Sequence, residues 1–255
     1  AKPLPNPTPA LIKEWGPLPG GRRWGSSAGV DIGPDGQVWA YDRCGEFDLA
    51  AGACDTSKVD PVLKFDRRTG KILASFGAGL FVVPHGLHVD RDGNVWVTDF
   101  AANKAGTKGP QVFKFSPDGK ILLTLGQAGV ARASDSTFVG PTSCVQLPGG
   151  DILIADGHWP RPASAQQDGD RLVRYTKDGK FVRAYGKLGS GPGEFMGPHA
   201  LALDSQGRIF VADRSNSRIQ IFDKDMNYLD SWRHFGRPSG VAILKDDTLV
   251  VADSE

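Results

Sequence analysis

A chain of 255 residues is long enough to bury a large core in one domain, and its 33 Gly and 18 Pro suit a fold made of turns. Thirty Lys and Arg against 29 Asp and Glu leave a formal charge of +1, which offers no electrostatic attraction for nucleic acid or an anionic membrane. No apolar run approaches the roughly 20 residues of a membrane-spanning helix, so neither a nucleic-acid partner nor a membrane span is expected.

In chain order, residues 2–9 contain four of the 18 prolines and read as an extended lead-in. Residues 11–16, LIKEWG, match the later segments ILASFG, ILLTLG and FVRAYG, each the last strand of a repeat. They are expected to form an outermost strand lent to the last blade of a ring, which would cover open sheet edges. A hairpin follows, AGVDIGPDGQVWAYD from Ala28, and it recurs as HGLHVDRDGNVWVTD from His85, TSCVQLPGGDILIAD from Thr142, HALALDSQGRIFVAD from His199 and SGVAILKDDTLVVAD from Ser239. Each copy alternates apolar residues on both sides of an Asp-Gly type turn, the pattern of paired short strands. The terminal aspartates, Asp42, Asp99, Asp156, Asp213 and Asp253, are spaced by 57 residues three times and then by 40. A second strand pair follows each of the first four hairpins, beginning at Val62, Val112, Leu172 and Ile219. The fold class expected is therefore all-β, a β-propeller of four-stranded blades, with the chain covering roughly four and a half of them as a single domain. Four complete units and one hairpin leave a ring open, so the chain is expected to continue past Glu255.

The long repeats owe their extra residues to loops at 46–60, 101–109 and 159–170, and such loops are where binding surfaces are built. Cys44 and Cys54 flank the first loop, where a disulfide would pin the excursion; two unpaired thiols in a cytosolic loop are the alternative. Cys144 lies among apolar strand residues and reads as a small core residue. A disulfide, and a first residue that is Ala1 rather than Met, suit an exported protein, secreted or periplasmic.

In a repeat, the informative residues are polar ones that break the pattern. The shared aspartates read as acceptors of turn hydrogen bonds. At the start of the first strand the series is Ala28, His85, Thr142, His199, Ser239, so only two copies carry imidazole. After the shared aspartate it is Arg43, Phe100, Gly157, Arg214, Ser254. Antiparallel pairing returns the second strand to the face where the first began, which puts both histidines and both arginines at one mouth of the channel. Two neutral imidazoles beside guanidinium groups suit a metal and an anionic substrate. The alternatives are structural histidines bonding to loops, and arginines paired with Asp42 or Asp213. His158, after Gly157, reaches the same mouth or is a loop histidine. His88 points away from His85 and reads as structural, and His234 near the rim has no assigned role.

The segments PHGLHVDRDGNVWVTD and PHALALDSQGRIFVADRSNSRIQIFD resemble NHL repeats, specifically those of peptidyl-α-hydroxyglycine α-amidating lyases, six-bladed propellers, from about Trp24 onward. The resemblance implies a zinc ion held by three histidines, with His85 and His199 at the first two ligand positions, and a structural calcium near the channel centre. It implies that Arg43 and Arg214 hold the carboxylate of a peptide or small-molecule substrate and support its alkoxide, with an amide and glyoxylate as products. Two positions depart from the family. Its base is a tyrosine after Asp-Gly, where this chain has His158, the candidate base here. The remaining first-strand position offers Ser239 for the third ligand, which is expected to come from a sixth blade instead. Two other readings compete. One is a non-catalytic NHL propeller binding a peptide, protein or glycan on its top face. The other is a calcium-dependent lactonase-like propeller, for which no inner-strand Glu begins a site.

Overall fold

The computed structural model describes residues 10, 12, 15–46, 52, 54–159 and 166–254. Eighteen strands make up nearly all of the regular structure among them, and the helical content is two 3-10 turns, Pro19–Gly21 and Arg214–Asn216. Blade 1 is β1 (Ser27–Ile32), β2 (Val38–Asp42), β3 (Val62–Phe65) and β4 (Ile72–Phe76). Blade 2 is β5 (Pro84–Val89), β6 (Val95–Asp99), β7 (Gln111–Phe115) and β8 (Ile121–Leu125). Blade 3 is β9 (Pro141–Gln146), β10 (Ile152–Asp156), β11 (Arg171–Tyr175) and β12 (Phe181–Tyr185). Blade 4 is β13 (Pro198–Leu203), β14 (Ile209–Asp213), β15 (Arg218–Phe222) and β16 (Tyr228–Trp232), and the pair β17 (Pro238–Ile243) and β18 (Leu249–Asp253) follows. Every blade runs antiparallel in chain order from inside to outside. The propeller expected from the 57-residue spacing is the fold that forms.

Burial follows position in the blade. All five residues of β6, β10 and β14 are buried, because both faces of a second strand meet neighbouring blades, whereas β8 and β16 are largely exposed at the rim. The core accordingly lies between blades. Trp39, Phe76, Phe81, Val95 and Phe115 fill the space between blades 1 and 2, Trp96, Phe138, Ile152 and Tyr175 that between 2 and 3, and Leu153, Phe195, Ile209 and Phe222 that between 3 and 4. Each such side chain stabilises the fold by about 1.5–3 kcal/mol through burial. The five inner strands line a shared cavity of about 520 Å³.

The shared aspartates accept hydrogen bonds, but from more than the turn. Asp99 takes the N–H groups of Val82 and Val83 at 2.9 and 2.7 Å, Asp156 those of Val139 and Gly140, Asp213 that of Met196, and Asp42 that of Gly25. Each therefore pins the segment entering its own first strand. Beyond the pinned segment, β5, β13 and β17 shift register near their starts, and the bulge takes in His85, His199 and Ser239. A bulge bends its strand and re-aims a side chain.

Leu11, Lys13 and Glu14 of the expected closing strand, like residues 2–9, lie outside the described residues. Trp15 and Gly16 are not in a strand: the Trp15 and Trp24 rings pack 5.5 and 5.6 Å from Phe65, and Trp24 Nε1 donates to the Gly16 carbonyl at 2.9 Å. These rings cover a face of blade 1, where apolar burial outweighs strand pairing for Trp15. Cys44 and Cys54 form the expected disulfide, and Cys144 is a buried free thiol. Residues 47–51, 53 and 160–165 of the long loops lie outside the description. Among the described residues, no helix is long and apolar enough to cross a membrane.

A three-histidine cluster as candidate metal centre

His85 and His199 occupy the same bulge of blades 2 and 4, and the structure treats them alike. His85 Nδ1 lies 2.7 Å from the Thr142 carbonyl and His199 Nδ1 2.6 Å from the Ser239 carbonyl, each on the first strand of the next sheet. A carbonyl only accepts, so both Nδ1 atoms carry the proton and both Nε2 atoms keep a lone pair. Metal-ligating histidines are commonly oriented in this way. Between β5 and β9 the close approach depends on residue 86 being glycine: a Cβ there would collide with the Thr142 carbonyl oxygen and lie 2.8 Å from Ser143 Cα.

The third imidazole comes from a different slot. Gly157 has φ 155°, and a Cβ on it would stand 2.8 Å from both the Asp170 carboxylate and the Pro198 ring, so glycine lets the chain turn His158 inward. His158 is 3% exposed. Ring centroids are 4.5 Å apart for His85 and His199, 5.0 Å for His85 and His158, and 5.5 Å for His158 and His199. One ligand atom from each ring lies within 4.8 Å of the others, so the nitrogen donors suit a divalent cation. Phe100 stacks on His158 at 4.1 Å and 20°, and meets His85 edge-on at 5.5 Å. Sequence reasoning placed His158 at this mouth but sought the third imidazole elsewhere, and it gave Phe100 no part. The signal for Phe100 lay in the slot after the shared aspartate, and that for His158 one position further, after Gly157.

Burial and neighbouring charges keep the His85 and His199 rings neutral. Burial, then the neighbouring His199, His158 and Arg43, hold His85 well below the ordinary histidine range. Burial lowers His199 to about 4, the Ser239 carbonyl opposes this, and Arg214, Arg43 and Arg237 push the same way as burial. Arg237 is a third guanidinium that sequence reasoning passed over, although it immediately precedes the Pro238-Ser239 start of the fifth repeat.

Arg43 is 8% exposed, its Nε donates to the Pro84 carbonyl at 2.9 Å, and burial lowers its guanidinium to about 10. Asp42 pairs with Arg22 at 2.5 Å and Asp213 with Arg218 at 2.7 Å. Ser239 Oγ bonds Ser254 Oγ and the Arg237 carbonyl, away from a ligand role. His88 pairs with Asp31 across the inner strands at 3.1 Å, as a structural histidine would.

The NHL repeat family matches residues 195–222, which cover blade 4 from the segment entering it through β15. A rat protein, peptidylglycine alpha-amidating monooxygenase, is 38% identical over 174 residues, which are 65% of this chain and 16% of that protein. Peptidyl-alpha-hydroxyglycine alpha-amidating lyase 1 of Drosophila melanogaster is 35% identical over 173 residues, 63% of this chain and 29% of that one. This chain is an NHL-repeat propeller resembling the amidating lyases. The matched stretch of this chain spans 16% of the length of the first relative and 29% of the second. In fold it also matches virginiamycin B lyase from Staphylococcus aureus, with TM-score 0.58 and 18% identity over 89% of this chain and 63% of that one.

Proposed function

We propose that the cluster holds zinc through Nε2 of His85 and His199, and that the propeller is an exported lyase cleaving the C–N bond of a peptidyl-α-hydroxyglycine. The observation that carries this reading is the pair of imidazoles with their tautomers set by neighbouring carbonyls, beside a buried arginine. When bound, zinc would supply Lewis acidity that lowers the pKa of the substrate hydroxyl. Arg43 and Arg214 hold the substrate carboxylate with charge-assisted hydrogen bonds. His158 accepts the hydroxyl proton. As the carbonyl of glyoxylate forms, the C–N bond breaks, its electron pair stays on nitrogen, and the proton that His158 took passes to that nitrogen and completes the amide. The disulfide and the likeness to amidating enzymes support export.

A second reading of His158 has its own observation. Because its nitrogen lies within the same 4.8 Å group, it could complete the ligand set, and its lone pair would then not be available for a proton. Metal analysis of tag-free protein and a glyoxylate assay with zinc supplied separate the cases. Loss of zinc is expected in His85→Ala/His199→Ala and loss of rate in Arg214→Ala. His158→Gln that keeps zinc and loses rate makes His158 the base, while loss of zinc makes it a ligand. Equal zinc in wild type and the double variant overturns the metal site, and zinc-loaded wild type that releases no glyoxylate favours the non-catalytic binding propeller.

A further inference from the structure

Arg43 bridges two blades. Its main chain belongs to blade 1, where its N–H donates to the Ser26 carbonyl, Glu46 N–H donates to the Arg43 carbonyl, and Gly45 N–H donates to Asp42 Oδ2, all at 3.0–3.2 Å. Its guanidinium belongs to blade 2, through Nε to the Pro84 carbonyl, one residue before His85. Where the guanidinium stands therefore depends on how the turn after Arg43 is held against blade 2. The next residue, Cys44, has φ 53°, a left-handed conformation that a non-glycine residue keeps only when its surroundings impose it.

The imposing contacts come from blade 2. Cys44 is bonded to Cys54, which is 2% exposed, packs in the core with Tyr41 and Phe81, and donates its N–H to the Val82 carbonyl at 3.1 Å. Asp55 then accepts from Asn103 Nδ2 at 3.0 Å and pairs with Lys108 at 3.2 Å, and the Lys108 ammonium also donates to the Asp55 carbonyl. The excursion that leaves blade 1 after Arg43 is thus fastened to blade 2 twice, once two residues before Pro84 and once on the loop after β6.

We propose that the Cys44–Cys54 disulfide, anchored by Asp55 on Lys108 and Asn103, is the positioning element of Arg43, holding its guanidinium where a substrate carboxylate is bound. The inference rests on the carboxylate role given to Arg43 above. The tether touches neither carbonyl that orients His85 and His199, so it governs carboxylate affinity and leaves metal binding alone.

A double-mutant cycle tests this. Cys44→Gly/Cys54→Ala removes the bond while glycine accommodates the left-handed turn. In the wild-type background it should raise KM about tenfold, with kcat and zinc content little changed; in an Arg43→Ala background it should raise KM no further, which is the coupling expected of residues acting through one another. Asp55→Asn, which keeps the disulfide, should show the same pattern at smaller size. A loss of melting temperature should appear equally in both backgrounds. An equal KM effect in both backgrounds, or none in wild type, overturns the proposal. Calorimetric titration with glyoxylate separates it from the lyase reading. Wild type that binds glyoxylate tenfold tighter than the disulfide-free variant but turns over no substrate sinks the lyase and keeps the tether. Equal glyoxylate binding by the two, or none by wild type, sinks the tether.

Discussion

Blades 2 and 4 begin alike, with Pro-His in a bulge, and part company at the aspartate that ends the second strand. Asp213 meets Arg218, directly across in register, whose remaining nitrogens donate to the carbonyls of Ser190, Gly191 and Glu194. Blade 3 repeats the device with Asp156, Arg171 and the carbonyls of Ser134 and Thr137. In blade 2 the residue across from Asp99 is Gln111. The accepting carbonyls explain the difference, since they come from long loops entering blades 3 and 4, whereas the chain goes from β4 to β5 in seven residues. An arginine is stored where a loop can satisfy its other donors. Burial pushes the Asp99 carboxyl up to about 7, against the Val82 and Val83 N–H bonds and the Lys108 charge, and raises Asp156 to about 6 even against Arg171. Asp213 is also raised by burial, with Arg218 among the groups opposing it.

The sharpest way to break this comparison is to give blade 4 the residue of blade 2. Arg218→Gln removes one partner of a buried pair and takes the donor from the Ser190 carbonyl, while the Gly191 and Glu194 carbonyls keep the Glu194 N–H and Gln220 Nε2, so unfolding free energy should fall by about 3–5 kcal/mol, chiefly through the unpaired Asp213. Gln111→Ala should cost less than about 1 kcal/mol, the worth of one ordinary hydrogen bond. Denaturant midpoints for the two variants measure the contrast, and equal losses would show that the arginine cage adds nothing over the glutamine.

The next effect is smaller and depends on pH. The folded pKa of Asp99, about 7, lies above the unfolded value of about 3.9. The neutral acid is therefore the form folding prefers; its contribution is complete below the unfolded pKa and is lost as pH rises through the folded one. Asp99→Asn stays neutral throughout but has one acceptor for two N–H groups, so it should cost about 1–3 kcal/mol at pH 5. The gap to wild type should narrow between pH 5 and pH 8. A constant gap in denaturant midpoints would mean that Asp99 holds one charge state across that range.

Much of this was legible because a propeller repeats one register. The positions of Asp42, Asp99, Asp156 and Asp213 were enough to place the strands and to put His85 and His199 in equivalent slots, and the spacing around the first loop indicated the disulfide. What stayed hidden depends on contacts with no periodicity. His158 was legible as a residue of this mouth, but not its approach to within ligand distance of His85 and His199 by the backbone route at Gly157, and Arg218 reaches carbonyls 24 to 28 residues away in a loop without pattern. Trp15 fits the strand template of residues 11–16, yet its ring packs with that of Trp24 on Phe65, a contact between distant residues that no strand template encodes.

The slot after the aspartate gives the smallest and most local contrast, Phe100 in blade 2 against Arg214 in blade 4. The Phe100 ring stacks on His158 and stands edge-on to His85, so it limits the orientations that the His158 imidazole can take. An aromatic pair of this kind is worth about 0.5–1.5 kcal/mol beyond its buried area. Phe100→Leu keeps an apolar side chain and gives up the stacking. If Phe100 acts by holding His158, the variant should lower kcat by about threefold to tenfold, the same energy expressed as a rate. KM should stay near wild type if the carboxylate contact is made by Arg43 and Arg214, as proposed above. Zinc content decides between the two roles of His158 here as well. A base that loses its shelf slows with the metal retained, whereas a ligand that loses it weakens metal binding in step with kcat. A rise in KM at unchanged kcat would instead put Phe100 in contact with the substrate, as the apolar counterpart of the arginine across the channel.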